Sequence, residues 1–468
     1  MRSKLKHVGL VMVGLVAGVL VSLNFSASAG KDAAMGALPI EELRSFADVY
    51  NAIKQGYVEP VDDKKLITHA ISGMLANLDP HSAYLDADSF KDLQVSTQGE
   101  FGGLGIEVGM EDGLVKVVAP IEDTPAWKAG VKTGDLIFKI DDTLVKGLSL
   151  NDAVKKMRGK PKTTIRLSII RKGETKPLEL SIMRDKIKVQ SVKSKLLETG
   201  YGYLRVTQFQ EETTSDVVKT IEKLVKLDKD AKGDGLKGLV LDLRNDPGGL
   251  LNSAVGVSAA FLPPKTLVTS TDGRTEDAKR RYVASPEDYM RGSRDDVMKG
   301  LPAIAKTIPM IVLVNGGSAS ASEIVAGALQ DHKRAVVVGT QTFGKGSVQT
   351  ILPLSNNSAI KLTTARYYTP SGRSIQAKGI TPDVIVEETA NGESRERLRE
   401  ADLDRHLDND KEKVDTAKPV KNGKNGKNGK TDEGEDAPRT PPMEFASKND
   451  YQLNQAMNLL KAWQIIKR

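Results

Sequence analysis

The run "NGGSASASEIVAGALQDHKRAVVVGTQTFGKGSVQT" begins at Asn315 and carries the residue types that could do chemistry. Ser318, Ser320 and Ser322 alternate with alanine behind two glycines, and Lys345 stands between two more glycines, 25 residues past Ser320. Small neighbours let a peptide backbone approach a hydroxyl closely. A helix opening at such a serine would stabilise both an alkoxide and a developing oxyanion with its N-terminal amides. Ser320-Ala321-Ser322-Glu323 also has the S-x-x-E spacing of a capping box, so the same serine fits a plain helix N-cap. On this segment alone the two readings stand level.

What decides between them is a base. The chain has five histidines. His7 lies in the apolar N-terminal segment, His69 and His81 in a helical region, and His406 beside a charged tract. His332 follows the far end of the helix that Ser320 opens, roughly 18 Å along the axis, beyond reach. No histidine pair has zinc-ligand spacing. Lysine remains. Burial penalises an ammonium relative to the neutral amine, so a sheltered lysine can take a hydroxyl proton near neutral pH. The glycines beside Lys345 permit tight packing that a surface lysine does not need.

These residues need elements to hold them. "GLVLDLR" (Gly238 to Arg244) is a continuous apolar run, as in a strand buried on both faces, followed by the turn "NDPGG" and a helical stretch. "MIVLVN" (Met310 to Asn315), a helix Ala321 to Gln330 and "AVVVG" (Ala335 to Gly339) read as a βαβ unit with a right-handed crossover. The expected fold class is an α/β core of parallel βαβ units over residues 186–388. Residues 30–98 read as helical from apolar residues at three- and four-residue spacing. Residues 99–185 form a β-rich module with one helix, "SLNDAVKKMRG", capped by Ser149. Residues 389–445 are charged and apolar-poor, with a threefold "KNG", and read as a disordered linker. Residues 446–468 regain helical periodicity. Their apolar face reads as an oligomerisation surface or as packing on the chain's own core.

Composition bounds the function. The 468 residues are 39% apolar and 28% charged, with net charge +7 and no cysteine, so neither disulfides nor thiolate chemistry contribute. Residues 1–29 have a basic start, an apolar run from Val8 to Leu23 and Ala27-Ser28-Ala29, the pattern of a cleaved export signal; a retained membrane anchor is the second reading. Removing them takes Arg2, Lys4 and Lys6 and no acid, leaving +4. The remaining basic residues are scattered without aromatic interleaving, which argues against nucleic acid as a partner.

Together "GSASASEIVAGALQD", "TFGKGSVQ", "LDLRNDPGGLL" and "YYTPSGRSIQAKGITPD" resemble the carboxyl-terminal processing peptidases, or tail-specific proteases, serine endopeptidases with a Ser/Lys dyad and an inserted PDZ domain. The resemblance implies Ser320 as nucleophile, Lys345 as general base and Gln349 as the residue that orients the lysine. For Gln349 an extended chain would set it roughly 13 Å from Lys345. It also implies an oxyanion hole from the Ala321 amide and one of the "DPGG" glycines, for which Gly248 is the choice over Gly249. The module 99–185 resembles a PDZ domain: "GGLGIEV" matches its carboxylate-binding loop, so Gly103, Leu104, Gly105 and Ile106 are the expected peptide-binding residues.

The expectation is therefore an exported endopeptidase that takes substrate C-termini in its PDZ groove and needs no metal or organic cofactor. The export signal together with the resemblance implies the periplasm of a Gram-negative bacterium, cell-envelope proteins as substrates and a lipoprotein adaptor as a candidate partner. The apolar face of the terminal helix adds the expectation of a homo-oligomer through the terminal helices. The competing readings are a catalytically idle PDZ scaffold and, more weakly, an acyl-CoA-processing enzyme on a similar core.

Overall fold

A computed structural model describes residues 38–121, 123–292, 295–392, 397–411 and 445–466. The expected export signal and most of the expected linker lie outside them. Among the described residues, 38–71 form a unit of their own, holding helix Ile40–Gly56 and the start of helix Asp63–Ala76.

The second unit is built on a six-stranded sheet in the order Val192–Glu198, Tyr201–Val206, Gly238–Asp242, Met310–Val314, Val336–Gly339, Val384–Ile385. The first pair is antiparallel and the rest are parallel. Strands Gly238–Asp242 and Met310–Val314 are buried at every residue, which explains their uninterrupted apolar sequence. Side chains alternate between two cores. Leu239, Leu241, Met310, Val312 and Val314 face helices Thr213–Asp230, Leu251–Phe261 and Ala321–Asp331. Val240, Ile311 and Leu313 face the C-terminal helix Tyr451–Ile466.

The C-terminal helix thus has a home, and an oligomer through its apolar face is corrected: that face is the third layer of the core. Leu453, Met457 and Leu460 are buried against the sheet, a contribution of about 1.5–3 kcal/mol per side chain. An ion-pair network fastens its start. Arg244, buried at the end of strand Gly238–Asp242, donates to Asp242 at 2.7 and 3.0 Å, to Asp450 at 2.6 and 2.9 Å and to Gln452 at 3.0 Å.

A second, antiparallel sheet, which the periodicity did not announce, abuts the first. It runs Ala83–Leu85, Ala359–Tyr368, Leu267–Gly273, Arg280–Val283, and strand Ser347–Pro353 hairpins onto Ala359–Tyr368. The β-rich module hangs on a two-stranded stem, Glu100–Gly103 paired with Asp185–Lys188. Its sheet, from Ile106–Glu111 to Leu178–Met183, closes on helix Leu150–Met157 around Val115, Ile137, Ile165 and Leu167. The Ser149 hydroxyl caps that helix, as its spacing predicts.

Candidate active site

Ser320 sits where strand Met310–Val314 turns into helix Ala321–Asp331, at the carboxyl end of the parallel sheet. Its backbone takes φ 56° and ψ −110°, a left-handed conformation that costs a non-glycine residue on the order of 1–3 kcal/mol. The neighbouring loop bolts the turn in place. The hydroxyls of Ser318 and Ser322 donate to the Leu243 and Asp246 carbonyls, each at 2.8 Å, and the Ala319 amide donates to the Asp246 carbonyl at 3.0 Å. Of the three serines, two are therefore structural. Among the described residues the Ser320 hydroxyl donates to no acceptor.

Lys345 lies where the chain leaves the parallel sheet and enters strand Ser347–Pro353. Gly344 is left-handed, and a Cβ at Gly346 would stand 2.2 Å from the Gln376 nitrogen, so both glycines are needed to thread this loop. The lysine is partly buried, and lost hydration lowers its pKa from the usual 10.5 to about 8. Glu400, Glu323 and Asp79 pull the other way and Lys361 adds to the lowering. The amine donates to the Ser347 carbonyl at 3.1 Å and to Gln349 Oε1. Gln349 reaches it because the hairpin is bulged between Val348 and Gln349, which bends the strand the extended-chain estimate took as straight.

Serine and lysine are tied together by Glu323, a fully buried carboxylate on the first turn of the serine's helix. Its Oε2 accepts the Ser320 amide at 2.7 Å and the Lys345 amide at 3.0 Å. Its Oε1 accepts the Gly344 amide at 2.7 Å and the Thr342 hydroxyl at 2.6 Å. Burial raises its pKa to about 7 against these four bonds. The S-x-x-E spacing flagged this residue as a cap; its grip on the lysine loop is a long-range contact that spacing does not encode. The two side chains are not joined: among the described residues no hydrogen bond links the Ser320 hydroxyl to the Lys345 amine, which Gln349 and Ser347 hold instead.

Gly248 packs against the serine; a Cβ there would stand 2.9 Å from the Ala321 nitrogen and from Ser320 Cβ. Its expected role as a free amide donor needs correction. The Gly248 N–H is given to Asp246 Oδ1 at 2.8 Å, because Asp246-Pro247-Gly248 closes a side-chain turn. The amides of Gly249 and Ala321 find no acceptor among the described residues. Asp246 itself is fully buried, its Oδ2 has no partner among the described residues, and burial raises its pKa to about 8.

Sequence reading also set His81 aside as one residue of a helical region. Its Nε2 in fact lies 2.7 Å from Glu400 Oε2, Glu400 Oε1 accepts from Gln376, and Gln376 Oε1 accepts the Gly346 amide at 3.0 Å. His81 therefore stands behind the lysine loop.

In the β-rich module, Gly103, Leu104, Gly105 and Ile106 line one side of a cavity of about 100 Å³, and Val154 and Met157 of helix Leu150–Met157 line the other. Gly105 must be glycine: its φ is +79°, and a Cβ would lie 2.3 Å from Thr124.

Comparison with known proteins identifies three regions of the chain. Residues 200–386 match peptidase family S41, residues 102–182 match the PDZ domain, and residues 21–89 match the N-terminal domain of the activating protease CtpB. The carboxy-terminal-processing protease of Bartonella bacilliformis is 53% identical over 351 residues, 74% of this chain and 76% of that one. The carboxy-terminal processing protease CtpA of Bacillus subtilis is 36% identical over 392 residues, 83% of this chain and 78% of that one. The photosystem II D1 C-terminal processing protease, a solved structure, is 31% identical over 73% of this chain and 87% of that one, with a TM-score of 0.40. The chain belongs to the carboxyl-terminal processing peptidases, serine-type peptidases of family S41 with a PDZ domain.

Proposed function

We propose that Ser320 is the nucleophile and Lys345 the general base of peptide-bond hydrolysis. The observation that carries this reading is the bonding of the lysine amine. A neutral amine has two hydrogens and one lone pair. The Ser347 carbonyl and Gln349 Oε1 can take both hydrogens, which leaves the lone pair for the one serine hydroxyl of the three that donates to nothing. A pKa lowered to about 8 makes that neutral amine available near physiological pH. The mechanism requires rotation about the lysine side-chain bonds, with Gln349 kept as acceptor, to bring the lone pair to Ser320.

The steps follow. Lys345 accepts the hydroxyl proton as Ser320 Oγ attacks the peptide carbonyl, and the Lys345 ammonium then protonates the departing amine. Water, deprotonated by the same amine, releases the acyl group. The oxyanion lies against the Ala321 amide at the helix N-terminus, where the macrodipole also favours negative charge. From the glycine pair, Gly249 offers an amide with no present acceptor, and Gly248 becomes available on release from Asp246. The loop Gly103 to Ile106 takes a substrate's terminal carboxylate, and the strand from Ile106 pairs with the extended chain behind it.

The signal-like residues 1–29 support export, and with the family they support a periplasmic enzyme acting on cell-envelope polypeptides, with a lipoprotein adaptor as a candidate partner. A homo-oligomer is supported by helix Ile40–Gly56, on which Ile40, Leu43, Phe46 and Val49 all stay exposed.

The test is cleavage of an unstructured polypeptide by the wild-type chain, Ser320→Ala and Lys345→Ala. Both variants are expected to lose at least about 10³-fold in kcat, as when members of a catalytic unit are removed. Undiminished cleavage by Lys345→Ala refutes the base assignment.

A further inference from the structure

Behind the lysine runs a polar chain that starts at the turn Asp79-Pro80-His81-Ser82. Asp79 is buried and accepts four hydrogen bonds: from the His81 amide at 2.8 Å, the Ser82 amide at 2.9 Å, the Ser82 hydroxyl at 2.6 Å and the Thr363 hydroxyl at 3.1 Å. Burial opposes ionisation here, yet these donors together hold the carboxyl below the usual range, so Asp79 acts only as an acceptor. That fixes the sense of every bond beyond it. The single hydroxyl hydrogen of Thr363 goes to Asp79, so Thr363 can only accept from Gln349, whose Nε2 lies 3.1 Å away. The Ser347 hydroxyl takes the other Nε2 hydrogen, also at 3.1 Å. An amide whose nitrogen is so engaged turns its oxygen the other way, to the Lys345 amine. The turn also reaches the lysine loop through His81, Glu400, Gln376 and Gly346.

We propose that Asp79 is a positioning residue of the peptidase: through Thr363 it locks the Gln349 amide with its oxygen toward Lys345, and so decides where the lysine amine rests. This rests on the reading of Lys345 as the base. The Asp79 oxygen that accepts from Thr363 also accepts the His81 and Ser82 amides, so asparagine at this position keeps its oxygen there and turns its NH2 to the Ser82 hydroxyl. The Ser82 hydrogen is then free to turn to Thr363 Oγ1, 3.5 Å away, where it competes with Gln349 Nε2 for that acceptor and lets the amide flip. The flipped amide presents N–H groups to the amine, which disfavours the ammonium form. The charged groups around the amine are Glu400, Glu323 and Asp79, which favour the ammonium, and Lys361, which opposes it. Neutralising Asp79 acts in the same sense as the flip, so both lower the pH at which the lysine becomes a base.

The experiment measures kcat and KM against pH for the full chain and for Asp79→Asn, Thr363→Val and Thr363→Ser, per active site titrated with a serine-directed phosphonate. Asp79→Asn and Thr363→Val are expected to lose roughly 10–100-fold in kcat through misplacement of the base, with KM little changed. The acid limb of kcat/KM moves to lower pH in both. Thr363→Ser keeps the hydroxyl and keeps the wild-type profile. The inference fails if Asp79→Asn and Thr363→Val show the wild-type limb and kcat per titrated site, even when fewer sites titrate. It fails equally if Thr363→Ser is as impaired as Thr363→Val, since packing of the threonine methyl then explains the loss. Full activity of Lys345→Ala removes the base and this inference together. Wild-type behaviour of the Asp79 and Thr363 variants beside an inactive Lys345→Ala removes this inference alone.

Discussion

One oxygen of Glu323 accepts the amide of Ser320 and the amide of Lys345, so any displacement of that carboxylate moves both. Glutamine in its place offers a single acceptor to four converging donors and brings two N–H hydrogens of its own. Each buried donor left unpaired costs about 1–3 kcal/mol. Glu323→Gln is therefore expected to lower the unfolding free energy by that order and kcat by about 10²-fold, read by denaturant titration and by steady-state kinetics. Unchanged kinetics in a stable Glu323→Gln protein would detach the carboxylate from catalytic geometry. At this scale the proposal of Ser320 and Lys345 can already be drawn from the sequence, because residue type, small neighbours and the lack of a usable histidine carry chemical meaning without coordinates. Asp79 and Glu400 are not legible. The bonds that carry their roles, Asp79 to Thr363 and Glu400 to His81, join residues hundreds of positions apart, and hydrogen bonds of that kind leave no periodic trace. Gln349 was half legible: its type fits an orienting role, but the bulge that brings it within reach is a feature of the folded hairpin.

The elements divide in the same way. Strands Gly238–Asp242 and Met310–Val314 could be read as doubly buried because their apolar runs are unbroken. The hairpin Ser347–Pro353 with Ala359–Tyr368 carries mixed, half-exposed residues, and its sheet went unforeseen. The C-terminal helix had a legible apolar face but no legible target, since the sheet face it covers is assembled from four distant strands. With that face covered, the proposed homo-oligomer rests on helix Ile40–Gly56, where Ile40, Leu43, Phe46 and Val49 recur every three residues and none is buried. A charge placed in that row removes apolar area from any contact it makes. Phe46→Glu is expected to lower the mass in solution to that of one chain, measured by sedimentation equilibrium. An unchanged mass would exclude this helix as the contact.

Across the whole molecule, a peptide-binding module on a two-stranded stem is joined to a three-layer core that holds a hydroxyl and an amine on adjacent loops. Helix Leu150–Met157 and the Arg158 that follows it form one wall of the module's cavity, and their neighbourhood is gripped from the core side. Lys155 pairs with Asp88 and Arg158 with Asp92, each at 3.2 Å, both on helix Ala87–Gln98, which leads back through strand Ala83–Leu85 to the turn at Asp79. Capture of a chain end and cleavage of the chain behind it thus belong to connected parts of one fold, and in the proposed mechanism cleavage depends on whether the amine is a base. With its pKa lowered to about 8, Lys345 is mostly ammonium below that pH and mostly neutral amine above it, so the fraction able to take a proton rises through this range. The rate at which a serine-directed phosphonate labels Ser320, followed by peptide mass spectrometry from pH 6 to pH 10, measures this directly. The account predicts labelling at Ser320 that rises with pH through a midpoint near 8 and is lost in Lys345→Ala. Labelling that is independent of pH, or that proceeds at the wild-type rate without the lysine, would contradict it.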